Sequence, residues 1–149
     1  MTEVGFYHLG ATALERALPR LLERALADGH RVVVHAGSEE RVTHLDGLLW
    51  TYSEASFLPH GSARDSNAAR HPICLTDRDE NPNGATMLVL LDGSRSDHIA
   101  DFARCCDMFD GNNAAAVEAA RQRWSAAKAA GHSLTYWQQT GAGWEKRGA

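Results

Sequence analysis

Val117, Arg121, Trp124 and Lys128 stand at i, i+4, i+7 and i+11 within the alanine-dense run 113–131, so they share one face of a helix. The chemistry such a set can do is recognition. An arginine grips a carboxylate through two parallel N–H donors, and an indole beside it offers an apolar wall. Alanines at 116, 119, 120, 126, 127 and 130 are small enough for the other side to lie close against a sheet. Two readings fit this pattern: a docking surface built on the cations and Trp124, or a core tryptophan under a solvated cationic face. Charge separation favours docking. Residues 114–149 hold five Lys/Arg against two acids, net +3, and the remaining residues hold 10 against 17, net −7. A basic end on an acidic protein suits an acidic peptide or a phosphate group. With an overall charge of −4, the chain lacks the footprint of a general DNA binder.

Catalytic motifs are sparse. The chain has no GxxxxGK[ST] phosphate loop and no GxSxG elbow. The turn after the first apolar segment offers Gly10 alone where a dinucleotide fingerprint needs three glycines. Eight histidines are scattered, with no pair at i, i+4, and a zinc site would require His60, His71 and Cys74 to converge. The run from Asp77 to Asn83 superficially resembles a calcium loop, but Pro82 occupies the position that needs glycine. Asp92 and Asp97 follow the most apolar segment, where α/β enzymes keep their acids, and would be the metal-binding residues of a nucleotide or nucleic-acid hydrolase.

The elements that must position these residues follow from periodicity. Residues 4–9 read as a strand, and Thr12 with Glu15 forms a capping box ahead of apolar positions 14, 17, 18, 21, 22, 25 and 26. The stripe keeps its phase across Pro19, which predicts one helix with a bend, ending at Gly29. Residues 31–36 read as a buried strand. Ser38 caps a second helix, whose first turn carries Glu39 and Glu40 and whose inner face is Val42, Leu45, Leu48 and Leu49. Short strands are expected at 56–60 and 72–75, with a central strand at 86–91. A short helix at 99–104 and a strand at 105–109 lead into the alanine helix, which Asn112 or Asn113 caps and Gly131 ends; a last strand spans 133–138. The alternation of strands and helices specifies a single α/β domain over 1–140, with a mixed sheet, and 141–149 as a flexible C-terminal tail.

No apolar run approaches the roughly 20 residues needed to cross a membrane. The N-terminus has neither the basic start nor the apolar stretch of a signal peptide. Three cysteines, two of them adjacent, make a poor disulfide framework and fit a reducing cytoplasm.

Phe6-Tyr7-His8-Leu9, the segment Leu45 to Trp50 followed by Ser56-Phe57-Leu58-Pro59-His60, Cys106-Asp107-Met108-Phe109, and Arg121-Gln122-Arg123-Trp124 through Gly131 to Leu134 together resemble the chi subunit of bacterial DNA polymerase III holoenzyme. The resemblance runs from the first strand to the last. It implies a Rossmann-like α/β sandwich with a mainly parallel sheet, no cofactor and no catalytic activity. It also implies a place in the clamp-loader assembly, where family members hold the acidic C-terminal tail of single-stranded DNA-binding protein and meet DNA only indirectly. Carried over by position, the tail-binding residues are Arg121, Trp124 and Lys128, with Val117 nearby. A tail ending in aspartates, proline and phenylalanine needs a cation for its carboxylates and an apolar wall for its ring. A second family surface, at Trp50 and Phe57, implies the psi subunit or a repair helicase as partner. Two family cations are missing here, where Val117 and Ser125 stand, so the resemblance implies weaker, more salt-sensitive tail binding, or a tail held mainly by Arg121.

Overall fold

The computed structural model describes residues 2–10, 13–53, 58–140 and 143–147. In chain order the elements are β1 (Glu3–Leu9), α1 (Leu14–Ala27), β2 (Val32–His35), α2 (Glu39–Thr51), β3 (His60–Ser62), β4 (Ile73–Thr76), β5 (Met87–Leu90), β6 (Arg104–Asp110), α3 (Ala114–Ala129), β7 (Ser133–Thr140) and β8 (Gly143–Lys146). Single 3₁₀ turns occur at Ala68–Arg70 and Ile99–Asp101. The described strands form one sheet in the order β3-β4-β2-β5-β6-β1-β7-β8. Every neighbouring pair is parallel except β7 and β8, which run antiparallel. The architecture is the α/β sandwich that the alternation of elements predicts.

A parallel sheet is covered on both faces, so its inner strands read as continuous apolar runs. In β2, Val32 and Val34 join the cluster beneath α1 and α2, while Val33 points to the other side with Phe6, Leu88 and Phe109 beneath α3. The adjacent cysteines divide the same way, Cys105 toward α3 and Cys106 toward α1 and α2. The sheet thus carries two separate apolar cores, and each helix is fixed to one of them.

Pro19 lies buried inside a continuous α1, as the uninterrupted stripe required. Thr12 lies outside the described residues; Ala13 occupies the N-cap position without a side-chain bond. Ser38 caps α2 by accepting from the Arg41 N–H at 3.1 Å, and Val42, Leu45 and Leu49 face inward with Leu48 half-buried.

Three boundaries differ from those read in the sequence. The strand expected at 56–60 begins at His60, and Phe57 lies outside the described residues. The expected helix at 99–104 is a 3₁₀ turn ending at Asp101, because the chain must be extended by Arg104 to pair with β1 and β5. Residues 143–146, expected in a flexible tail, form β8. Trp137 pairs with Lys146 and Gln139 with Trp144, so the exposed edge of β7 draws the segment into the ladder.

The alanine helix ends as its composition indicates. The Gly131 N–H donates to the Lys128 carbonyl, the His132 N–H to the Ala127 carbonyl, and Gly131 adopts φ +84°. No atom stands within 4 Å of where a Cβ on Gly131 would sit, so only backbone strain opposes a side chain there. Gly131→Ala is therefore expected to lower unfolding free energy by about 1–2 kcal/mol, read from urea denaturation, with no change in denaturant slope.

Candidate functional site

Asn113 sets the start of α3 by accepting from the Ala116 N–H at 3.0 Å. The helix rests on the sheet through Ala120, Arg123 and Ala127, which are buried. Arg123 is the surprise among them. In the sequence it is one of the five Lys/Arg of the basic end, yet its side chain is 7% exposed and meets Asp107 of β6, itself buried. Nε donates to one carboxylate oxygen at 2.6 Å and a terminal nitrogen to the other at 3.0 Å, the bidentate geometry at which arginine excels. Burial pushes the Asp107 carboxyl above its usual range, and the guanidinium partly offsets this. Ala126 and Ala130, by contrast, are exposed and take no part in the packing against the sheet.

With Arg123 fixed inward, the helical repeat rolls residues 117, 121, 124 and 128 onto the flank above β7. The four sequence-selected residues are brought together on this flank. Trp124 is half-buried, its ring edge-on to Phe6 at 5.3 Å and to Tyr136 at 6.0 Å. It is neither a core residue nor a free one: one part packs on the apolar cluster and the rest faces solvent. Val117 is likewise partly buried, whereas Arg121 and Lys128 are exposed. Arg121 has one long ion pair, 3.8 Å to Glu118, with both side chains mostly in water; such a pair constrains the guanidinium weakly.

Sequence reasoning missed the floor of this shelf. Leu134 and Tyr136, partly buried, rise from β7 beside Trp124, and Tyr136 stands in register with Phe6 of β1. The Tyr136 hydroxyl lies 2.6 Å from His8 Nδ1, which ties the ring to the neighbouring strand. Burial raises the pKa of this phenol above its ordinary value, and the positive charge of Arg121 lowers it in part, so the cation acts on the ring. The available signal was the alternation in β7, which sends Leu134 and Tyr136 to one face; the missing information was that β7 lies next to β1.

The other selected residues lie elsewhere. Trp50, at the end of α2, is 57% exposed, with its ring 5.0 Å from that of buried His60. His60 bonds the Leu58 carbonyl through Nδ1 at 2.7 Å and stands 3.2 Å from an Asp46 carboxylate oxygen through Nε2. His71 pairs with Asp65, and Cys74 is buried with its thiol pushed up to about 11 by desolvation. Among the described residues, no three His, Cys, Asp or Glu side chains are grouped so as to hold a metal. Asp92 lines a crevice of about 780 Å³ at the carboxyl ends of β1 and β6, where it accepts from the Gly37 N–H and the Arg41 guanidinium. Asp97 lines a different crevice, beside α3, and its N–H donates to Asp79 at 2.8 Å. The two acids expected to act together thus belong to separate places.

A family model described as "DNA polymerase III chi subunit, HolC" matches residues 1–135. The chain belongs to the chi subunit family. Among curated proteins, the chi-family chain is 34% identical over 91 residues to the probable DNA polymerase III subunit chi of Rickettsia prowazekii (strain Madrid E), a match covering 61% of this chain and 55% of that protein. It is 28% identical over 111 residues to the DNA polymerase III subunit chi of Pseudomonas aeruginosa (strain PAO1), covering 72% and 77% respectively. The alignment thus spans about half the length of the Rickettsia relative. Membership of this family supports an accessory role in DNA replication.

The buried pair has a pH signature. Removing the cation while keeping the acid leaves a carboxylate in the core, a loss of about 3–5 kcal/mol at neutral pH. Because the folded-state pKa of Asp107 is raised by burial, and rises further without Arg123, the stability of an Arg123→Met variant falls as pH increases through the range where Asp107 loses its proton. Thermal unfolding from pH 4 to 7 is expected to bring the variant closer to the parent at the acid end. The double variant Arg123→Met/Asp107→Leu recovers most of the loss at pH 7.

Proposed function

We propose that this chain is an accessory subunit of DNA polymerase III, with no catalytic site of its own, that links the clamp loader to single-stranded DNA-binding protein by holding that protein's acidic C-terminal tail. The reading rests on one observation above others: a half-buried indole lies between two exposed cations on the α3 flank. The ring of a terminal phenylalanine fits against Trp124 and Tyr136. The Arg121 guanidinium, held among the described residues by a long solvent-exposed ion pair, is available to a carboxylate at little cost, and Lys128 adds positive charge about two turns further on. The exposed indole of Trp50 supports a second contact, with the psi subunit or a helicase, on the other side of the molecule's sheet. In this reading the protein works in the cytoplasm, within the replication assembly.

Calorimetric titration with a nine-residue tail peptide of the host's single-stranded DNA-binding protein tests the proposal, with the same peptide lacking its final phenylalanine as control. The intact peptide is expected to bind and the truncated one to bind far more weakly. Arg121→Ala should weaken binding by about tenfold or more, since a charge-assisted hydrogen bond contributes roughly 1.5–3 kcal/mol. Added salt should weaken the parent more steeply than the variant, which keeps only Lys128 beside the indole. Unchanged affinity in Arg121→Ala would remove the residue from the site.

A further inference from the structure

On the opposite face of the sheet, away from α3, a groove of about 580 Å³ runs between α1 and the β7–β8 edge. One wall is a cationic row. Arg16, Arg20 and Arg24 stand at i, i+4 and i+8 on α1, all three exposed and all three lining the groove. At a rise of about 1.5 Å per residue, their helix positions span about 12 Å. Arg104 adds a fourth guanidinium from β6, donating to the Tyr7 hydroxyl at 3.1 Å. Among the described residues, the sole carboxylate lining the groove is Asp28, already engaged by Arg24 at 3.5 Å.

The other wall is aromatic. Trp137 of β7 stacks on Tyr7 at 9° between planes and 6.3 Å between centroids, and Trp144 of β8 stands edge-on to Tyr7 at 5.2 Å. Gly5 makes room for this arrangement, since a Cβ there would sit 2.9 Å from the Tyr7 ring. Trp144 is 37% exposed. Lys146 faces Trp137 across the antiparallel ladder, and directly opposed residues share a face, so a further cation borders the indoles.

We propose that this groove binds single-stranded nucleic acid. The guanidiniums form a row instead of converging on one point, which suits successive backbone phosphates better than a single terminal carboxylate. The aromatic rings lie along an open wall and do not close around one side chain, so they offer surfaces for unpaired bases to stack on. Four guanidiniums against one paired acid make the groove locally positive within a chain whose net charge is −4. The cations come from positions 16, 20, 24, 104 and 146, so no single segment of the sequence holds the groove's charge. The inference is independent of the tail-binding reading, which concerns the other face.

The test is fluorescence anisotropy of a labelled twenty-nucleotide oligothymidylate titrated with the full chain at low salt and then at increasing salt. Binding is expected, with log affinity falling linearly with log salt. The Arg20→Ala/Arg24→Ala variant should bind more weakly, with a slope shallower by about 1.4, since each phosphate contact in a single strand contributes about 0.7. Trp144→Ala should lose at least about fivefold in affinity while keeping the slope of the parent. Arg121→Ala should bind the oligonucleotide like the parent. Absence of binding at low salt would overturn the proposal, as would equal affinity in the double-arginine variant. Tighter binding of a duplex of the same length, or of polyglutamate, would assign the groove to another ligand class and overturn it as well.

Discussion

The Arg123–Asp107 pair is the constraint from which the rest of the α3 surface follows. An alanine-rich helix has little apolar side-chain surface with which to choose its roll about its own axis. The ion pair supplies that choice. Any roll that withdrew Arg123 would leave the Asp107 carboxylate buried without a partner, at a cost of several kcal/mol. One orientation is therefore selected, in which Ala120 and Ala127 touch the sheet and Trp124, one residue and about 100° further round, lands on the edge of Phe6 and Tyr136. The exposed cations take their places on the flank as a consequence. A buried pair that does little for net stability can still decide which side chains reach the solvent.

The parallel sheet extends this logic to the whole molecule. Its two apolar cores are independent, so α1 and α2 on one side and α3 on the other each leave their own strip of β7 uncovered. Successive residues of β7 point to opposite faces. Leu134 and Tyr136 therefore belong to the shelf beneath α3, and Trp137 belongs to the groove beside α1. A single edge strand serves two surfaces with different chemistry. The first pairs aromatic rings with a few separated cations; the second pairs them with a row of guanidiniums.

Much of the fold was legible because it depends on local rules. The valine run of β2, the apolar stripe of α1, the Ser38 cap and the Gly131 terminator each report their element through propensity or periodicity. The four-residue face of α3 was legible for the same reason. Arg123 was not: its spacing puts it with Ala120 and Ala127, away from Arg121, but its burial depends on Asp107 sixteen residues earlier. Tyr136 escaped because its neighbours are set by strand order, which no local pattern encodes. β8 escaped because Trp144 is its one large apolar residue, and its pairing comes from the open edge of β7. The row of Arg16, Arg20 and Arg24 also escaped, because helical spacing gives it no meaning without the indoles that the sheet places across from it.

The central claim is that the flank of α3, completed by β7, is the surface that holds an acidic, phenylalanine-terminated tail. The most direct measurement is a ¹⁵N–¹H NMR titration of the full chain with the tail peptide, following the backbone amides and the Trp124 indole N–H. The account predicts shifts concentrated at the Trp124 indole and the amides of Arg121, Lys128, Leu134 and Tyr136, with the Trp137 and Trp144 indoles unmoved. Shifts centred on Trp137 and Trp144, or spread over Trp50 and α2 with Trp124 unchanged, would contradict it.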